Sequence, residues 1–268
     1  PLFAWWELRR QHPFMNLRLL KYRNLAVGTV IMAVQGAVMM GSTSILPIFM
    51  QSLLGYPALQ SGMSMMPRGM GSMLSMMIVG WMVSKFGNRL LVVTGFLGLG
   101  ITLFIFSGYN LQIAPSNIML PLFFNGLVMG FTFVPLTTLT MANIRQSDIQ
   151  QASGIFSLLR NIGASIGISL MFTMQARMAQ VHQTALVSHV SPYGGAFQQW
   201  SAHVQRLFGS QAAAYGLAYK DIVVQSLAMS FLDCFRWLAY TAVLVIPLIA
   251  LFRGSRHIKS QAELSAQD

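Results

Sequence analysis

Apolar residues in this chain run in long blocks separated by short polar breaks. The hydrocarbon core of a bilayer is about 30 Å thick, so a helix needs roughly 20 mostly apolar residues to cross it. Six blocks qualify: residues 25–50, ended by Pro47; 61–83; 90–106; 117–141; 153–175; and 226–252. Asp233 and Arg236 interrupt the outer end of the sixth. The connections are short except for a polar stretch between the fifth and sixth blocks. The pattern predicts an all-α, polytopic membrane protein with six transmembrane helices.

Lys and Arg fix the orientation, since cytoplasmic loops carry the excess of positive charge. Arg9, Arg10, Arg18, Lys21 and Arg23 precede span one, and Lys85 and Arg89 follow span two. Arg145 follows span four, and Arg253, Arg256 and Lys259 follow span six. The loops at 51–60 and 107–116 have no charge, and the long loop holds only Arg177, Arg206 and Lys220. With six spans the basic segments share one face, which places both termini in the cytoplasm. The expected organisation is a cytoplasmic linker over 1–24 (with 1–6 read as linker or as the end of a preceding helix), spans one to five over 25–176, an extracytoplasmic amphipathic loop over 177–225, span six over 226–252, and a cytoplasmic tail over 253–268.

Composition agrees with that picture. Hydrophobic residues make up 54% of the chain and charged residues 9%, against roughly 25% charged in globular domains. The net charge of +11 is spread between apolar runs, so it predicts membrane orientation and no nucleic-acid partner. The lone Cys234 excludes a disulfide framework and a zinc cluster. No cleavable signal precedes span one, and a start at Pro1 rather than Met suggests a piece of a longer protein.

Between spans two and three the chain reads Gly80-Trp81-Met82-Val83-Ser84-Lys85-Phe86-Gly87-Asn88-Arg89. Gly87 suits a tight turn at φ > 0, and Lys85 and Arg89 hold that turn at the headgroups. Positive-inside anchoring accounts for these residues. The run also resembles the cytoplasmic loop signature of the major facilitator superfamily, with Ser84 where the signature has Asp. Residues 151–167, from Gln151-Ala152-Ser153-Gly154 through Arg160-Asn161-Ile162-Gly163 to Gly167, resemble the penultimate helix of the EmrB/QacA drug:proton antiporters, the fourteen-helix branch. Trp6-Glu7-Leu8-Arg9, Leu54-Gly55-Tyr56, Pro135-Leu136-Thr137-Thr138 and Asp233-x-Phe235 fit the same family in the same order.

The resemblance implies the C-terminal half of a proton-driven multidrug exporter, one half of a major facilitator fold, in the bacterial inner membrane. It implies hydrophobic drug-like substrates, the N-terminal half of the same transporter as partner, and the proton as coupling ion, with no other cofactor and no metal. A periplasmic adaptor protein and an outer-membrane channel enter as further partners on the same ground. Spans one, two, four and five would line the cavity, with three and six outside. Two other readings stand beside it: an exporter of one dedicated metabolite, and a non-transporting six-span scaffold.

Read directly, Gln35, Asn125 and Asn161 are amides inside spans one, four and five. Each must find a partner in lipid, either an interhelical hydrogen bond or a cavity. Together with Met39, Arg68, Met129 and Ser165 they form the candidate substrate site. Arg68 is the costliest residue in the chain, about 10 Å inside span two, and either lines the cavity or snorkels; Arg160 is similarly placed. Met66, Met70, Met73 and Met77 form one stripe of span two and face a pocket wall or lipid. Gly126-x-x-x-Gly130 and Gly163-x-x-x-Gly167 are small-xxx-small pairs that let helices approach closely. Gly80, Lys85, Gly87, Arg89 and Asp148 form the candidate cytoplasmic gate, with Asp148 expected to pair with Lys85 or Arg89.

No acid falls at the membrane midplane. Depth along the helix puts Asp233 at the outer interface, where Arg236 can pair with it. The five histidines lie outside the spans without ligand spacing, and nothing points to an enzyme. In the outer loop, Phe197, Trp200, Val204, Leu207 and Phe208 recur at helical spacing.

Overall fold

Among the described residues there are helices and turns but no strand. The computed structural model describes residues 17–142, 144–190, 193–208 and 210–252. A 3-10 turn at Leu17–Lys21 leads into α1 (Arg23–Ser52), then α2 (Ala58–Phe86), α3 (Asn88–Phe106) and α4 (Pro115–Met141). A second 3-10 turn, Gln146–Asp148, precedes α5 (Ile149–His189), α6 (Gly195–Phe208), α7 (Gln211–Leu244) and the single turn α8 (Ile246–Ile249). The expected spans one to five are α1–α5, and the sixth is α7 with α8. Residues 1–16 of the expected linker and the expected tail at 253–268 lie outside the described residues.

Among the described residues, five helices are long and apolar enough to cross a membrane: Arg23–Ser52, Asn88–Phe106, Ser116–Met141, Gln146–His189 and Gln211–Ile249. The expected second span, α2, has 29 residues and is long enough, but serines, glycines and Arg68 lower its hydropathy. Those small residues are placed for packing. Ser61, Ser64, Gly71, Ser75 and Val79 are its buried face, and α4 is its main neighbour. The methionine stripe points the other way, with Met66, Met70, Met73 and Met77 each 62–71% exposed.

Three expected boundaries are corrected. Pro47 does not end the first span: it lies inside α1, which continues to Ser52. A membrane helix tolerates this because neighbouring groups take up the freed backbone carbonyl. The stretch 177–225 is not a loop but largely helix. At 1.5 Å per residue, the 41 residues of α5 extend roughly 60 Å, twice the apolar thickness, and α7 returns alongside. The last span also breaks near its inner end, where Val245 separates α7 from α8 and Pro247 starts the new turn.

Small residues set the helix pairing. A Cβ at Gly163 would land on the carbonyl of Ala33, and one at Gly167 on the backbone of Ala37. That seats α5 directly on α1. Gly126 and Gly130 do the same for α4 on α2, against the Arg68 carbonyl and Ser75, and Ser75 Oγ accepts the Gly130 N–H at 3.1 Å. Both small-xxx-small pairs are therefore close-packing contacts. On the far side, Phe49 meets Phe231 edge-on at 5.6 Å and Phe106 meets Phe235 at 5.6 Å, anchoring α7 to the outer ends of α1 and α3.

Candidate functional site

With α5 seated on α1 through Gly163 and Gly167, the next faces of the two helices diverge and α4 closes the opening. The result is a cavity of about 260 Å³ lined by Gln35, Gly36, Met39 and Met40 of α1, Met129 and Phe133 of α4, and Arg160, Asn161, Ala164, Ser165 and Ile168 of α5. Helical spacing explains the lining: Gln35 and Met39, Met129 and Phe133, and Asn161 and Ser165 are i,i+4 pairs that share a face.

Gln35, Met39, Met129, Asn161 and Ser165 are thus brought together as the sequence suggested. Gln35 is 3% exposed, and its amide makes no hydrogen bond to any described residue. A buried amide without a partner is costly, so this one is available to whatever fills the cavity. Ser165 Oγ donates to the Asn161 carbonyl at 3.1 Å, leaving the Asn161 side chain free of the bond. Arg68 is not in the lining, but its guanidinium reaches the Sδ of Met39 at 3.7 Å. Arg160 lies over Phe133, its Cζ 5.4 Å from the ring centroid.

Asn125 is the correction to the site. It is fully buried, and its Nδ2 donates to Thr102 Oγ1 at 2.9 Å, a bond from α4 to α3. That bond turns its side chain toward α3, and Asn125 is not among the residues that line the cavity. Sequence reasoning did not assign Gly36, Met40, Phe133, Ala164 and Ile168, and it left Arg160 outside the site. Phe133 was within reach, one turn beyond Met129.

At the α2–α3 turn Gly87 has φ +75°, the left-handed region its turn requires. Gly80 has open space where a Cβ would stand, so packing does not demand a glycine there. Lys85 Nζ stands 3.9 Å over the Trp81 ring, and Arg89 Nη2 donates to the carbonyl of Phe252. The expected ion pair is not formed. The Asp148 carboxylate accepts from Ser147 Oγ at 3.4 Å, and among the described residues the ion pairs are confined to Asp233. A backbone carbonyl and an aromatic ring satisfy the two cations instead.

Between α5 and α7, α6 bears out the helical spacing read from the sequence. Phe197 packs on Trp200 at 5.8 Å and on Tyr215 of α7 at 5.5 Å, and Val204 is 6% exposed. Leu207 points outward, 68% exposed. One polar contact was missed. His182 of α5 lies 2.7 Å from Asp233, which also meets Arg236 at 3.5 Å. The Asp233–Arg236 pair was legible as an i,i+3 spacing; His182 is remote in sequence and gave no signal.

The cavity thus lies between helices long and apolar enough, in α1, α4 and α5, to cross a membrane. The family profile described as Major Facilitator Superfamily matches residues 1–168, and the chain belongs to that superfamily of multi-pass membrane transporters. It is similar to the fatty acid resistance protein FarB of Neisseria gonorrhoeae, 26% identical over 95% of this chain and 50% of that protein. It is also similar to the probable multidrug resistance protein EmrY of Escherichia coli K12, 27% identical over 91% of this chain and 48% of the relative. With the multidrug export protein EmrB of Haemophilus influenzae it shares 30% identity over 78% of this chain and 42% of the relative. The chain spans about half the length of the curated relatives it matches.

Proposed function

We propose that the chain is the C-terminal half of a drug exporter of the bacterial inner membrane, with the cavity between α1, α4 and α5 as its share of the substrate site. The carrying observation is the Gln35 amide, which makes no hydrogen bond among the described residues and shares the cavity wall with apolar Met39, Met40, Met129 and Phe133 and with polar Arg160, Asn161 and Ser165. Such a wall suits amphipathic hydrophobic compounds: unbranched methionines repack around varied shapes, while a few polar groups fix orientation. The names of the relatives, multidrug and fatty acid resistance proteins, favour the same substrate range.

Transport is by alternating access of the two halves around a site between them, with both termini cytoplasmic and the proton as coupling ion. Among the described residues the acids are Asp148 at the inner end of α5, Asp221, and Asp233 at the outer level. A coupling carboxylate therefore belongs to the N-terminal half. The turn at Gly87, with Gly80, Lys85, Arg89 and Asp148, forms the cytoplasmic gate region. A periplasmic adaptor and outer-membrane channel remain expectations from the resemblance.

The test uses the full-length transporter in everted vesicles acidified inside. Several unrelated hydrophobic drugs should each discharge the proton gradient and accumulate in the lumen. A response to only one compound would favour a dedicated metabolite exporter, and no response to any would favour the scaffold.

A further inference from the structure

Apart from the cavity described above, an apolar groove of about 530 Å³ lies between α3 and α7. Gly100 and Ala239 form its floor, and Ile101, Phe104, Tyr240 and Leu244 border it, each 57–75% exposed. The floor is low because its residues are small: a Cβ on Gly100 would lie 2.9 Å from the Val243 side chain. Both helices are long and apolar enough to cross a membrane, so the group that fills this groove is apolar. Along α3 the groove extends from residue 97 to 105. That is about 12 Å, less than half of a hydrocarbon core of roughly 30 Å. A crossing helix would need a seat through the whole thickness, whereas a chain from a single leaflet would not.

One end of the groove meets a cation. Phe235 packs edge-on against Phe106 at 5.6 Å, which sets Arg236 level with the last turn of α3. Arg236, Tyr240 and Leu244 follow at i,i+4 spacing on one face of α7. Helical side chains lean toward the N-terminus, so the guanidinium stands just beyond the groove's end. It is half-exposed, and its Nη1 donates to Asp233 at 3.5 Å. Asp233 is shared with His182, at 2.7 Å. A guanidinium has five N–H donors in a planar fork, and the Asp233 contact engages Nη1 alone. Trp237 and Tyr240 stand beside it, edge-to-face at 6.3 Å and both more than half exposed. Such aromatics gather at the headgroup level of a bilayer.

We infer that this groove binds a glycerophospholipid. One acyl chain lies over Gly100 and Ala239, between Phe104 and Tyr240, and the headgroup phosphate is held by Arg236. Guanidinium suits that task because its fork matches a phosphate oxyanion in two-point contact. A lipid seated in this way joins α3 to α7 on the membrane side, level with the Asp233 contacts.

The test is photo-crosslinking of the full-length transporter in detergent micelles with a phosphatidylglycerol that carries a diazirine halfway along one acyl chain. Adducts mapped by mass spectrometry should concentrate on Ile101, Phe104 and Tyr240. Unlabelled phosphatidylglycerol should displace them; inorganic phosphate, or a diacylglycerol with the same chains, should not at equal concentration. Arg236→Gln should lower the adduct yield about fivefold, the scale of a half-exposed charge pair, and Arg236→Lys should recover part of it. Ile101→Trp, at a position 60% exposed, should fill the groove and abolish the adducts while the protein still elutes as a folded species. Adducts spread evenly over the exposed residues of α2 and α3, and unchanged by Arg236→Gln, would overturn the inference and leave general lipid contact only. Equal displacement by the diacylglycerol or by inorganic phosphate would overturn it too, because chain and headgroup would not be recognised together. So would an unaltered transporter with no adduct in the groove, whose α3 and α7 another segment of the longer protein would then cover.

Discussion

His182 Nε2 lies 2.7 Å from the Asp233 carboxylate, joining α5 to α7 at one defined height. Phe231 and Phe235, two residues to either side of Asp233, pack on Phe49 near the end of α1 and on Phe106 at the end of α3. Asp233 therefore stands level with the outer ends of the shorter helices. One oxygen faces His182 and the other Arg236, so the acid serves as a clasp between the two longest helices.

That assignment separates Asp233 from proton coupling. Asp233→Asn should leave the proton dependence of transport unchanged. It should cost about 1 kcal/mol or less in stability, since both partners are partly exposed and such pairs are screened. His182→Ala should cost a similar amount, and the double variant no more than the larger single loss, read from thermal unfolding in detergent. A correctly inserted Asp233→Asn transporter that binds drug but no longer exchanges it for protons would refute the clasp.

The α1–α5 contact gives a sharper structural prediction. Gly163→Leu and Gly167→Leu place atoms onto the backbone of Ala33 and Ala37, where nothing can yield. Overpacking of this kind costs about 1–3 kcal/mol or more, and little folded transporter should survive. Gly154→Ala, in the same helix but facing open space, should be harmless. Yield by size-exclusion chromatography decides; equal yields for all three would mean that α5 does not seat on α1.

Most of this fold was legible because membrane helices announce themselves by length and hydropathy. The outer hairpin was not, because α5 past residue 176 is polar on most faces and loses the apolar-block signal while staying helical. Met39 and Met129 carry no such signal, whereas Gln35 and Asn161 stood out within the site because polar amides inside spans are expensive. Asn125 looked the same in sequence. What separates it is a partner, Thr102 on the neighbouring helix, and partners across helices are not written in the spacing of one helix.

Orientation is checked by thiol labelling. The native Cys234 is buried, so the background is low. Cysteine introduced at Asn110 or at Tyr193, which is 89% exposed, should react with an impermeant reagent in intact cells. Cysteine at Ser84 or Gln146 should react only after permeabilisation. External labelling at Ser84 would reverse the topology.

At the cytoplasmic end the structure shifts the weight from Asp148 to Arg89. Arg89→Ala removes the donor to the Phe252 carbonyl that ties the α2–α3 turn to the end of the last span. It should slow turnover several-fold while leaving drug affinity within about twofold. Asp148→Asn, which loses only the contact with Ser147, should change turnover little. A coupling energy between Asp148 and Arg89 above about 1 kcal/mol in a double-mutant cycle would show that they pair in another conformation of the cycle.

Drug is expected to occupy the space between α1, α4 and α5. Photo-crosslinking of the full-length transporter with a hydrophobic drug bearing a diazirine, the adducts mapped by mass spectrometry, tests this occupancy most directly. Adducts are expected on Met39, Met129 and Phe133, displaced by excess unlabelled drug and lost when Ala164→Phe fills the cavity. Adducts confined to the exposed methionines of α2 or to the outer hairpin, with Met39, Met129 and Phe133 unlabelled, would contradict it.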